Sequence, residues 1–103
     1  MMLVATSVRA SAIEGVGVFA VDFIPAGTPI WALDERFDKV FTEEEVASFP
    51  KNVQDYFTRY GYPHMEREGF VVLELDNGRF MNHSMTPNTD FTRPDVGYAI
   101  ADI

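Results

Sequence analysis

Turn-forming residues recur so often in this sequence that no segment can run far in one conformation. Ile24-Pro25-Ala26-Gly27-Thr28, Gly61-Tyr62-Pro63, Asn77-Gly78, Met85-Thr86-Pro87-Asn88 and Pro94-Asp95 all interrupt regular structure. Proline fixes its own φ and lacks a donor, while glycine and asparagine tolerate left-handed backbone. Only short elements fit between such signals. Residues 2–8 are apolar and partly β-branched, residues 13–20 alternate after two glycines, and residues 29–33 carry Ile30 and the single tryptophan, Trp31. Each reads as a strand. Residues 70–75 give the clearest strand, and Asn77-Gly78 predicts a two-residue hairpin that places Arg79 and Phe80 on the return strand. Residues 89–92 and 98–103 complete the β content.

The middle of the chain has a different period. Thr42 and Glu45 have capping-box spacing, and Glu43, Glu44 and Glu45 complement the positive end of a helix dipole, so these carboxylates need no catalytic role. Val46 and Phe49 share a face, Pro50 interrupts, and Asn52 is positioned to cap a second helix with an apolar stripe of Val53, Tyr56, Phe57 and Tyr60. Two short helices packed on a sheet are expected. His64 then falls in a polar connector with Glu66 and Glu68 and reads as an exposed loop residue. The fold class is mainly β with a short helical insertion.

Composition narrows the partners. A chain of 103 residues fits one domain with one modest core. Sixteen acidic against eight basic residues give a formal charge of −8, which repels a phosphate backbone and attracts a basic peptide. Cysteine is absent, so disulfides, thiolate metal sites and a cysteine nucleophile are excluded within these residues. The first residues lack the basic region and apolar run of a secretory signal, and no apolar stretch approaches a membrane span. A soluble intracellular protein, cytoplasmic or nuclear, is expected, with neither nucleic acid nor membrane as partner.

Several chemistries fail on spacing. Gly15-Val16-Gly17 lacks the third glycine and the helix of a dinucleotide-binding turn. His64, Glu66, His83 and Asp90 match no ligand pattern of a metal-dependent hydrolase, so no metal is expected. His83 and Ser84, as neighbours on an extended segment, point to opposite faces and do not suit a serine hydrolase.

The segment Arg79-Phe80-Met81-Asn82-His83-Ser84-Met85-Thr86-Pro87-Asn88 combines apolar anchors with an amide, an imidazole and a hydroxyl. It reads either as a ligand-facing loop or as a turn whose polar side chains cap their own backbone. Together with Ser11-Ala12-Ile13-Glu14-Gly15-Val16-Gly17-Val18-Phe19-Ala20 and the later Ile24-Pro25-Ala26-Gly27-Thr28-Pro29-Ile30, it resembles the SET-domain family of protein lysine methyltransferases. The longer segment is similar to the family's Arg-Phe-x-Asn-His-Ser-x-x-Pro-Asn signature, and the resemblance covers essentially the whole chain.

The resemblance implies a β-clip fold of several small sheets, with residues 1–33 as the N-terminal half, 34–69 as the variable helical insertion and 70–103 as the C-terminal half. It implies S-adenosylmethionine as cofactor. Gly15, Val16 and Gly17 would receive its methionine part through their backbone, Asn82 would add side-chain hydrogen bonds, His83 would meet the adenine through its backbone, and Arg79 and Phe80 would edge the pocket. The expected substrate is a lysine in a basic protein or peptide, entering a channel for which Trp31, Phe80, Phe91 and Tyr98 are the available aromatics. The family's Gly-Glu-Glu-Leu turn, with its tyrosine in a knot-like C-terminal segment, is missing from these 103 residues, so no catalytic residue is assigned. Two readings stand: a lysine N-methyltransferase lacking this segment, and an inactive peptide- or partner-binding module. An uncovered sheet edge beside Asn82 would favour a homodimer.

Overall fold

The computed structural model describes all of residues 1–103. In chain order the elements are β1 (Thr6–Ala10), β2 (Val16–Ala20), β3 (Pro29–Ala32), β4 (Lys39–Thr42), α1 (Glu43–Ser48), α2 (Lys51–Tyr60), β5 (Tyr62–Pro63), β6 (Phe70–Leu73), a 3₁₀ turn (Asn77–Phe80), β7 (Thr89–Asp90) and β8 (Val96–Ala99). No strand exceeds five residues, as the density of turn signals requires. The expectation of a mainly β chain with a helical insertion holds.

Three small antiparallel sheets result. β1 pairs with β2, β3-β8-β7 form the second sheet, and β4-β6-β5 form the third. The second sheet joins the two ends of the sequence, since β3 lies before the helices and β7 and β8 after them. Ile24, Ile30, Trp31 and Ala99 are its buried centre, with Val4, Leu33, Phe91 and Ile103 packed against them. Ile24 and Ile103 also exchange two backbone hydrogen bonds of 2.9 Å, so the last residue closes onto the turn that precedes β3.

The insertion forms a second apolar centre. Thr42 accepts from the backbone N–H of Glu45 at 3.0 Å and the Glu45 carboxylate accepts from the N–H of Thr42 at 2.9 Å, completing the expected capping box. Phe57 of α2 is buried. Its ring meets Phe41 edge-on at 5.0 Å and stacks on Phe49 at 5.8 Å, which fixes both helices on β4. No helix is long and apolar enough to cross a membrane.

Four local expectations are overturned. The opening run divides: Met2 bridges Trp31 and Leu3 donates to Ile30, whereas the strand paired with β2 starts at Thr6, because one apolar run serves two sheets. Asn52 does not cap α2. Pro50 takes that position, its carbonyl accepting from Val53 and Gln54, since a proline lacking an N–H suits a helix entry. The last strand is Val96–Ala99 rather than 98–103.

Asn77-Gly78 makes no hairpin. The Asp76 carboxylate accepts from the N–H of Gly78 at 3.1 Å, and Asn77 donates through Nδ2 to Oγ1 of Thr6 at 3.0 Å. These bonds favour a 3₁₀ turn, so Arg79 and Phe80 lie on that turn and β6 stops at Leu73.

Candidate functional site

The centre of the site is an amide. Nδ2 of Asn82 donates to Oγ of Ser11 at 3.0 Å, to the carbonyl of Val16 at 3.0 Å and to the carbonyl of Glu14 at 3.2 Å. Two hydrogens are thus shared among three acceptors of one turn. That turn is closed by the N–H of Ser11 donating to the carbonyl of Gly15 at 2.9 Å, with Gly15 at a φ of 47° that favours glycine. Gly17 is buried against the amide: a Cβ there would lie 3.1 Å from Nδ2 of Asn82 and 3.2 Å from Cβ of Ser11. The glycine turn and the Asn-His-Ser segment, distant in sequence, therefore form one unit.

Two cavities adjoin it. The smaller, about 260 Å³, is lined by Val16, Arg79, Phe80, Asn82 and His83 among others, so five of the seven residues expected at a cofactor site share it. Gly15 and Gly17 are not among its lining residues. His83 is exposed and Arg79 half-buried. Arg79 donates through Nη1 to the carbonyl of Leu75 at 3.0 Å and lies 4.6 Å over the Phe80 ring, while its Nε is buried without a partner.

The larger cavity, about 850 Å³, shares a wall with the first that includes Arg59, Tyr60, Arg79, Met81, Asn82 and His83. Its apolar side has Trp31 and Phe91, whose rings meet edge-on at 5.6 Å. Of the other aromatics considered, Phe80 lines only the smaller cavity, and Tyr98 lines neither, its hydroxyl accepting from Arg93 at 3.0 Å.

Four residues here carried no functional signal in the sequence. Arg59 and Tyr60 read as the end of an amphipathic helix, Tyr62 as a helix stop and Glu74 as part of a strand. Glu74 is only 6% exposed, accepts from the Tyr62 hydroxyl at 3.3 Å, and rests so close to Gly78 that a Cβ there would collide with it. Burial pushes the Glu74 carboxyl and the Tyr62 phenol up from their ordinary values.

A pH dependence follows. The unfolded chain releases the Glu74 proton around its ordinary value of 4.5, and the folded chain does so at higher pH. The stability Glu74 contributes is present below that value and is lost as pH rises through its raised native one. Glu74→Gln is expected to melt progressively higher relative to the parent as pH rises above 4.5, until the native carboxyl has itself ionised. Scanning calorimetry that gave parallel curves across this range would contradict the assignment.

His64 departs from its expected place. It is half-buried, its Nδ1 accepts from the N–H groups of Glu66 and Arg67 at 3.1 Å, and its Nε2 is buried without a partner. The ring organises its own turn. No group of three or more His, Asp or Glu side chains is placed to hold a metal ion.

A crystal structure of a Plasmodium falciparum protein, described as a candidate histone methyltransferase, aligns with a TM-score of 0.64 and 22% identity over 99% of this chain and 86% of its own. A humanized mutant of the Chaetomium thermophilum Polycomb Repressive Complex 2, bound to the inhibitor GSK126, aligns with a TM-score of 0.68 and 19% identity. That alignment covers 97% of this chain and 13% of the other. Both share its fold. No curated protein sequence matches the chain. The family profile described as SET domain matches residues 15–102. This match runs from the glycine turn, through the amide that holds it, to the penultimate residue, and the chain belongs to the SET-domain family.

Proposed function

We propose that this chain forms the cofactor and substrate walls of an S-adenosylmethionine-dependent protein lysine N-methyltransferase. One observation carries the reading: Asn82 binds the glycine turn at the wall between two cavities. A cofactor held on one side and a side chain held on the other would meet at that wall. S-adenosylmethionine supplies, when bound, a methyl group on a sulfonium centre.

The residues fit this use. The backbone at Gly15 is open to close approach, with nothing within 4 Å of where a Cβ would stand, and Arg79 brings a guanidinium to the pocket wall. On the other side, Trp31 and Phe91 offer an apolar surface that disfavours the charged form of an entering lysine, whose ordinary pKa is about 10.4. A neutral amine is the nucleophile that methyl transfer requires. Positioning and exclusion of water then supply most of the catalysis. The net charge of −8 favours a basic peptide as substrate.

The second reading, a module that binds peptide without transferring methyl, draws on the two tyrosines of the larger cavity. The Tyr60 hydroxyl accepts from Nε of Arg59 at 3.3 Å and the Tyr62 hydroxyl donates to Glu74 at 3.3 Å, so each is already engaged by a neighbouring side chain. Calorimetric titration with S-adenosylmethionine, followed by a methyl-transfer assay on a lysine peptide library, separates the readings. Saturable cofactor binding with transfer supports the enzyme. Peptide binding without cofactor binding supports the module and overturns the enzyme.

A further inference from the structure

Chemistry in the larger cavity needs a place for a proton. A lysine side chain arrives as an ammonium, and only the neutral amine has a lone pair for a methyl group. Of the residues lining that cavity, His83, Asp90 and Glu74 are the side chains suited to accept a proton. His83 is exposed, so water competes with it directly. Asp90 accepts from the backbone N–H of Thr92 at 2.8 Å, a bond that holds its carboxyl below the ordinary value and makes it a poor acceptor.

Glu74 differs on both counts. It is buried and shares the cavity wall with Trp31, Tyr62 and Gly78. Its Oε1 accepts from the Tyr62 hydroxyl at 3.3 Å, while Oε2 rests against Gly78, where the missing side chain leaves it room. The titratable groups that face it are Tyr62 of β5, Asp38 and Asp76, and the α-ammonium of Met1. That one cation is already bound to Asp38 at 3.0 Å. Burial and the two neighbouring carboxylates therefore favour the uncharged form of Glu74.

We infer that Glu74 takes the proton from the ammonium of the entering lysine. The inference rests on the methyltransferase reading above. An N–H bond of the ammonium breaks and its proton bonds to a carboxylate oxygen of Glu74, which leaves a neutral amine and a neutral carboxyl. The freed lone pair forms the bond to the methyl carbon as the carbon–sulfur bond breaks and its electron pair goes to sulfur. Glu74 returns its proton to solvent after the methylated side chain has left. Converting two charges into two neutral groups suits a wall that includes Trp31 and Phe91, where each charge costs desolvation.

The test uses protein with isotope-labelled glutamate carboxyls, the Glu74 signal being assigned by its loss in Glu74→Gln. The probes are a short basic peptide with one lysine between arginines and the same peptide with that lysine trimethylated, which keeps the charge but has no proton to give. At a pH where the free protein shows an ionised Glu74, saturation with the lysine peptide is expected to move its signal to the acid-limit position. The trimethylated peptide is expected to leave it at the ionised one. Glu74→Gln is expected to bind the lysine peptide at least about tenfold more weakly than the parent at that pH. An unmoved Glu74 signal, the same movement with both peptides, or a carboxyl that stays protonated wherever the protein is folded overturns the proton step and leaves the methyltransferase reading standing. Unchanged lysine-peptide affinity in Glu74→Gln does the same. Failure of the lysine peptide to bind the wild type overturns the substrate wall of that reading and this inference with it.

Discussion

Asn82→Ala is expected to reduce affinity for S-adenosylmethionine by at least about tenfold and to lower stability by about 1–3 kcal/mol. The side chain supplies all three hydrogen bonds from the Asn-His-Ser segment to Ser11, Glu14 and Val16. Removing it leaves carbonyl acceptors of a tight turn without their donor, and no neighbouring group replaces an amide carrying two hydrogens. The turn would then lose its position relative to Arg79, Phe80 and His83 before any ligand arrives. For a domain of this length each kcal/mol corresponds to about 4–8 °C of melting temperature. Thermal unfolding and cofactor titration of the same variant therefore give two independent readings. Wild-type affinity in a destabilised variant would show that Asn82 braces the fold and leaves the cofactor to other groups.

Phe57→Ala has the larger expected effect on folding, a loss of about 3–5 kcal/mol. Phe57 is the one buried residue of α2, and its ring touches both Phe41 of β4 and Phe49 just beyond α1. Truncation removes a buried aromatic and leaves a cavity between elements too short to close over it. Domains of this kind carry only about 5–15 kcal/mol in total, so the variant is expected to be partly unfolded at ordinary temperature. Phe57→Leu, which retains much of the volume, is expected to lose well under half as much. Urea unfolding followed by circular dichroism distinguishes these values. The helical insertion also presents Arg59 and Tyr60 to both cavities, so release of α2 would weaken ligand binding together with stability. Equal unfolding midpoints for Phe57→Ala and wild type would mean that the insertion is held by something other than its aromatic cluster.

How far the site could be read in advance depended on what kind of signal each residue carried. Gly15, Gly17, Asn82 and His83 belong to segments whose composition is unusual in itself, and the structure gathers them in one place. Arg59 sits in the last turn of a helix, where a cation is favoured by the helix dipole anyway, so nothing local distinguished it from a capping charge. Glu74 looked like one polar residue in a strand. Its burial comes from Gly78, whose lack of a side chain leaves room for the carboxylate. Asn77-Gly78 misled for a related reason: its hairpin propensity is real, but the Asp76 carboxylate and Thr6 recruit the same residues into a 3₁₀ turn.

The sequence by itself determined the shortness of every strand, the capping box at Thr42, the break at Pro50 and the turn before β3, because each depends on contacts between residues three or four apart. It also carried the family signature. Only the tertiary structure decided that β3 pairs with β8, that one apolar run at the start serves two sheets, and that α2 delivers Arg59 to the cavity beside the glycine turn. Those outcomes depend on partners such as Ser11 and Val16 for Asn82, separated by 71 and 66 residues. Their geometry exists only once the sheets have packed, and a linear pattern of residue types carries no record of it.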